Sequence, residues 1–327
     1  MSFTKSHVNF SDTNITRVSF LQPNSASPLF HIVSYLRIPF VLIGVLANIE
    51  ILITFIRRPR LITPFTIYIL NLAIINLSSA LVYEPFAIVR YFYREVSIGN
   101  KALCGFVKYC QWTTDGITRL QHGLICFDRW LAVLLPTWYR LKPVSFGVKV
   151  TLLALLYHQI WYIPLLIVDQ VQGVVTPTTD CGFTLVLPQY QMVVRTMTMY
   201  IPFTVLFGSY PLLFYKILKR RHLVIPENQL NPARTKQRSQ ELGMTMGLLL
   251  IYFIFVLPIL FTSALKAAKS PIVNEYFAVT ELISRVLYVI EPYLYLVFMS
   301  GIREEVKRHL RQLASCCVTP RQAAQPI

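Results

Sequence analysis

Leu124-Ile125-Cys126-Phe127-Asp128-Arg129-Trp130 closes a long apolar run with an adjacent acid and arginine. A paired charge in such a place is either a buried switch or an anchor at a membrane edge. Where a membrane span meets the cytosol, an Asp can hold its neighbour's guanidinium by a charge-assisted bond in one state and release it to a partner in another. That chemistry suits signalling better than transport.

The surrounding chain has the composition such a segment needs. Its 327 residues are 54% hydrophobic and 14% charged, too apolar for one soluble domain, and the apolar residues come in runs rather than at helical or strand periods. Runs of roughly 20 or more mostly apolar residues, enough to cross the hydrocarbon as helix, lie near 32–56, 66–92, 103–127, 148–168, 190–218, 242–264 and 272–299. The sequence therefore reads as an all-α membrane protein with seven spans and its two ends on opposite sides.

A net charge of +16 could serve nucleic acid, but the Lys and Arg residues cluster at alternate junctions between spans. Arg57, Arg58 and Arg60 follow the first span, and Arg140, Lys142 and Lys149 separate the third from the fourth. Lys219, Arg220, Arg221, Arg234, Lys236 and Arg238 separate the fifth from the sixth, and Arg303, Lys307, Arg308 and Arg311 follow the seventh. By the positive-inside rule these junctions are cytosolic, the N-terminus is outside and no nucleic-acid partner is expected. Sequons at Asn9 and Asn14 agree, because glycosylation takes place on the lumenal side. Residues 1–30 lack the basic and apolar parts of a cleavable signal and read as an extracellular tail. Residues 31–313 form the seven-span unit with an amphipathic end, and 314–327 a cytosolic tail; the loop 221–237 reads as a flexible connector. No phosphate loop, internal repeat or Cys/His cluster appears, so neither a cofactor nor a metal is expected. Of the six cysteines, only Cys104 and Cys181 fall on the outer side, where a disulfide would persist.

Short motifs stand in the spans in a definite order. The first span holds Gly44-Val45-Leu46-Ala47-Asn48, the second Leu70-Asn71-Leu72-Ala73-Ile74-Ile75-Asn76, and the third Cys104 followed by Asp128-Arg129-Trp130. The fifth has Pro202 and Tyr210, the sixth Phe255-Val256-Leu257-Pro258, and the seventh Glu291-Pro292-Tyr293-Leu294-Tyr295. Singly these are weak, but in this order and spacing the chain resembles the rhodopsin-like (class A) family of G-protein-coupled receptors over nearly its whole length. The resemblance implies a plasma-membrane receptor, not an enzyme, that binds an extracellular ligand and activates a heterotrimeric G protein. It implies that Asp128 restrains Arg129 at rest and that outward movement of the sixth helix, hinged at Pro258, frees Arg129, with Tyr210 and Tyr295 meeting nearby. A plain juxtamembrane arginine is the bland alternative. It also implies a Cys104–Cys181 disulfide pinning the outer loop over the pocket mouth.

Departures from the family pattern carry expectations of their own. The core polar site, Asn48, Asn76 and Glu291, has its carboxylate on the seventh span rather than the second, so Glu291 either serves an ion or proton or simply hydrogen-bonds. The family's acidic partner for the arginine would fall at Arg238, so that restraint is missing, with raised basal activity, unless Glu241 substitutes.

The pocket candidates are Glu84, Gln111, Asp115, Arg195, Glu281 and Arg285. Asp115 with Arg119, and Glu281 with Arg285, are four apart on one helix and can neutralise each other. Alternatively some of these charges face a water-filled pocket and bind a polar ligand, zwitterionic or a charged peptide end. Gln111 stands where amine receptors carry an acid, which disfavours an amine while Asp115 one turn deeper keeps that class open, and Arg285 stands where opsins carry the Schiff-base lysine, which disfavours a light receptor. Peptide is the first choice. After the seventh span, apolar residues at 302, 306, 310 and 313 between basic ones describe a helix lying on membrane lipids. Cys316-Cys317 beyond it is a palmitoylation candidate or a pair of exposed thiols without that role. Two rival readings stay open. One is a transporter or channel with Asp115, Arg119, Glu281 and Arg285 as a charge path, against which stands the absence of inverted repeats; the other is a decoy that binds ligand without coupling.

Overall fold

The computed structural model describes residues 28–92, 100–172, 187–208, 211, 215, 232–267 and 273–318. The first span is Pro28–Arg57. The second runs as Thr66–Ser78, a π turn at Ser79–Tyr83, and Glu84–Phe92. The third, Lys101–Leu134, starts where the Asn100 side chain accepts the Leu103 N–H at 3.0 Å, satisfying a donor that the helix leaves open. A short helix, Pro136–Leu141, leads to the fourth span, Val144–Gln172. The fifth comprises Pro188–Arg195, a π turn at Thr196–Tyr200 and helix over 201–208. The sixth is Pro232–Ala267, and the seventh Val273–Arg285 followed by Leu287–Phe298. A final helix occupies Ser300–Val318.

Two boundaries differ from the sequence reading. The sixth helix begins inside the expected connector, because Pro232 sits at the first helical position, where its missing N–H costs nothing. The final helix continues past residue 313 to Val318, beyond the point where a tail was expected.

The segments pack as one bundle, with the third helix touching the second, fourth, fifth and sixth, and the first lying against the second and seventh. Exposure is inverted relative to a soluble protein. Leu46 and Ile56 are 69% and 77% exposed while Glu84, Asp128 and Glu291 are 0% exposed, the arrangement expected when the surrounding solvent is lipid. Four helices, Ile32–Arg57, Thr66–Val89, Val144–Gln172 and Ser239–Thr262, are apolar and long enough to cross a membrane by themselves. The third is long enough but carries Lys108, Asp115, Arg119, Asp128 and Arg129, charges that only a central position can shelter.

Both π turns end two residues before a proline. Glu84 N–H bonds Ser79 O ahead of Pro85, and Ile201 N–H bonds Thr196 O ahead of Pro202. The wider turn makes room for a ring that would otherwise press on the carbonyl four residues back.

The seventh segment and the final helix meet at a 105° bend. Its apolar stripe is divided. Ile302 and Val306 are buried in a cluster with Ile51, Leu72, Leu248 and Tyr295, whereas Leu310 and Leu313 are exposed. A contact from His309 Nδ1 to Glu50 at 2.7 Å and an ion pair from Arg58 Nε to Glu305 at 3.0 Å tie this helix to the first span and the residue that follows it.

Candidate functional site

Three polar layers lie along the bundle interior. The layer toward the Cys104 end sets two guanidinium groups against three carboxylates. Arg37, on the first span, reaches Glu84 Oε2 at 2.6 Å through Nε and Glu281 Oε1 at 3.0 Å through Nη2. Arg285 reaches Glu84 Oε1 at 3.2 Å, Asp115 Oδ1 at 2.8 Å and Glu281 Oε1 at 3.3 Å. Tyr83 Oη donates to Glu281 Oε1 at 2.8 Å, and Arg285 Nη1 donates to Tyr288 Oη at 2.8 Å. Planar, always-charged guanidinium forks suit such shared contacts, and pairing offsets the cost of burial. Beside this group Lys108 Nζ meets Asp169 Oδ2 at 2.6 Å, joining the third span to the fourth.

Of the six pocket candidates, Glu84 and Glu281 are sealed inside these pairs. Arg285 is buried too. Gln111 and Arg195 are half-buried, and Asp115 keeps 28% of its side chain open. The Glu281–Arg285 contact within one helix is present but shared with two other spans. The expected Asp115–Arg119 pair is not formed, because Asp115 turns across to the seventh span. Sequence reasoning missed Arg37, whose signal was a single arginine inside an otherwise apolar run.

The middle layer contains the expected core site. Asn48 Nδ2 donates to Gly44 O at 2.8 Å and to Tyr288 O at 2.9 Å. That second bond needs the first and seventh spans to be close, and a Cβ at Gly44 would stand 3.0 Å from Tyr288 Cβ. Asn76 Nδ2 donates to Glu291 Oε2 at 2.6 Å, so the second and seventh spans meet as expected. His122, which sequence reasoning overlooked, places Nε2 3.1 Å from Glu291 Oε1 and stacks on Tyr252 of the sixth span with ring centroids 4.2 Å apart. Its Nδ1 lies 2.8 Å from Thr118 O, a pure acceptor, and therefore carries hydrogen.

At the Arg129 end the acid–arginine pair is part of a larger clamp. Arg129 Nη2 meets Asp128 Oδ2 at 2.5 Å and donates to Tyr139 Oη at 2.6 Å, while Nη1 meets Glu241 Oε2 of the sixth helix at 2.6 Å. The guanidinium also lies over the Phe65 ring at 3.9 Å. Asp128 is held in turn by Tyr139 Oη, which donates to Oδ2 at 2.7 Å, and by Lys142 Nζ. Burial pushes the Tyr139 phenol well above its usual range, so it stays protonated and donates. The condition attached to Glu241 is met. It lies three residues past Arg238, nearly one turn along the same helix face, and pairs with Arg129 from the sixth helix. An acidic partner for Arg129 on the sixth helix is therefore present, at Glu241 rather than at position 238.

A family model described as 7 transmembrane receptor (rhodopsin family) matches residues 47–295, from the first of these spans to the seventh. The chain belongs to that family. Among the rhodopsin-family relatives, the Substance-K receptor of Rattus norvegicus is 23% identical over 224 residues, covering 66% of this chain and 56% of the relative. The Neuropeptide F receptor of Drosophila melanogaster is 29% identical over 171 residues, covering 49% and 34%. Medium-wave-sensitive opsin 1 of Oryctolagus cuniculus is 28% identical over 156 residues, covering 46% and 41%. The chain spans about half or less of the length of these relatives. They are receptors rather than enzymes, and this rhodopsin-family chain is likewise a multi-pass membrane protein.

Within the rhodopsin-family frame the remaining candidates fall as follows. Pro258 lies inside the sixth helix, where it removes one ladder bond, and Tyr295 is fully buried at the Arg129 end. Cys104 is buried and disulfide-bonded. Cys181, Tyr210, Asn9 and Asn14 lie outside the described residues. Cys316 and Cys317 fall within the final helix.

The 2.6 Å Asn76–Glu291 contact yields a prediction for this receptor. Asn76→Asp alone sets two buried carboxylates against each other and is expected to lower surface expression several-fold. Adding Glu291→Asn removes the repulsion and is expected to restore most of it. Flow cytometry of tagged receptor decides; equal loss in the single and double variants would show the two positions to be uncoupled.

Proposed function

We propose that this protein is a plasma-membrane receptor with its N-terminus outside, which binds an extracellular peptide-like ligand and activates a heterotrimeric G protein. The observation that carries the reading is the clamp on Arg129, a buried guanidinium shared between Asp128 on its own helix and Glu241 on the sixth. Movement of the sixth helix breaks only the Glu241 contact, because Asp128 stays anchored by Tyr139 and Lys142 on the neighbouring connection. Arg129 is then offered at the cytosolic face, where the positive-inside rule puts that end of the bundle. Pro258 supplies the soft point for that movement. A Cys104–Cys181 disulfide belongs to this reading as the tether of the outer loop.

Peptide-like ligands are supported by the relatives, two of which are named as receptors for substance K and neuropeptide F. The opsin likeness does not extend to a retinal attachment, since Arg285 is committed to three carboxylates and is a poor nucleophile. Leu310 and Leu313 on the final helix supply the surface for membrane lipid, and Cys316-Cys317 the acylation site.

The test is nucleotide exchange on purified G proteins driven by the purified receptor under a peptide library. At least one peptide is expected to accelerate exchange more than ten-fold over the ligand-free rate. Saturable peptide binding with no acceleration on any G-protein class would replace this reading with the non-coupling one.

A further inference from the structure

The ionic inventory of the Cys104 half is lopsided. Among the described residues, its carboxylates Glu84, Asp115 and Glu281 are engaged by Arg37 and Arg285 of the first and seventh spans, and Asp169 by Lys108. The third and fifth spans carry two further arginines, Arg119 and Arg195. Among the described residues neither meets a carboxylate. Arg195 lies over the Trp112 ring at 5.8 Å. Arg119 stands two turns farther from Cys104 than Trp112 on the same helix, about 22 Å below Cys104 at 1.5 Å per residue. Its Nε is buried without a hydrogen-bond partner, while the residue as a whole stays partly open.

A guanidinium cannot escape this by deprotonating, and burying it unpaired is costly. The acid that could have neutralised it, Asp115 one turn away, is spent on Arg285. We propose that Arg119 seats the anionic group of the ligand, a carboxylate or comparable oxyanion, with Arg195 lining the way in nearer the Cys104 end. The planar fork of Arg119 matches a carboxylate in shape and charge. This rests on the reading of the chain as a ligand-binding receptor. It narrows the ligand to one whose acidic end enters first, such as a peptide with a free C-terminus or acidic side chain.

The probes are acetate and its neutral isostere acetamide, titrated at constant ionic strength while thermal unfolding of the purified full chain is followed. Acetate is expected to raise the midpoint saturably, in the millimolar range that so small a ligand permits, and acetamide is not. Arg119→Gln is expected to raise the ligand-free midpoint, since an uncompensated charge has gone, and to abolish the acetate response. Arg119→Lys keeps the charge without the fork and is expected to retain a weakened response. Equal effects of acetate and acetamide on the wild type, no effect of either, or an undiminished acetate response in Arg119→Gln would each overturn the assignment. No G protein takes part, so such a result removes the anion seat and leaves the coupling reading standing.

Discussion

Arg129→Ala is expected to abolish ligand-stimulated nucleotide exchange while leaving surface expression and the affinity of the uncoupled receptor for ligand near wild type. The guanidinium has four contacts at rest, with Asp128, Tyr139, Glu241 and the Phe65 face, and three of these lie within the third helix, its following connection and the second span. Only Glu241 crosses to the helix that moves. Glu241→Gln should therefore act in the opposite sense, favouring the open arrangement and raising ligand-free exchange. A charge-assisted bond contributes roughly 1.5–3 kcal/mol, so neutralising one partner can shift the closed-to-open ratio by about ten-fold or more. Exchange assays at matched receptor concentration read both variants. Normal coupling by Arg129→Ala would remove the mechanism, and unchanged basal exchange in Glu241→Gln would show the clamp to be structural only.

The second large effect is expected at Arg285. Arg285→Met leaves three carboxylates to one guanidinium, because Arg37 still pairs Glu84 and Glu281 while Asp115 loses its partner on the seventh span. Breaking a buried ionic network from one side costs about 3–5 kcal/mol, a large part of the roughly 5–15 kcal/mol that holds a typical protein folded. The variant should therefore nearly vanish from the cell surface. Adding Glu84→Gln restores the original charge balance and should recover a substantial fraction of it. Surface counts by flow cytometry, with melting of the purified double variant, are the measurements. Wild-type expression of Arg285→Met would mean that the network contributes little to the fold.

The spans, their order and the position of Arg129 were legible because each depends on local pattern: apolar length, charge at the junctions, short motifs at fixed spacing. What was not legible depended on which helices face each other. Asp115 and Arg119 have the spacing for a pair, yet Asp115 crosses to Arg285 of the seventh span, a contact that only the packing of the two helices reveals. Glu241 had to be weighed against the basic residue at the expected register, and a three-residue offset could not be resolved without the packing of the sixth helix against the third. Arg37 and His122 looked incidental in sequence because their partners, Glu84 and Glu291, lie on distant segments. Lys108 and Asp169 were hidden for the same reason, 61 residues apart.

The two π turns give the second and fifth spans an uncommon tolerance to changes of length. Each accommodates one residue more than an α-helix would need between the same end points, so deleting a single residue within Ser79–Tyr83 or Thr196–Tyr200 would rewind the turn and leave the flanking halves in register. Elsewhere in a membrane span the same deletion rotates everything beyond it by about 100°, the angle of one residue at 3.6 per turn, and turns lipid-facing side chains into the bundle. Divergent copies of this gene should therefore carry their one-residue gaps in spans two and five at these turns.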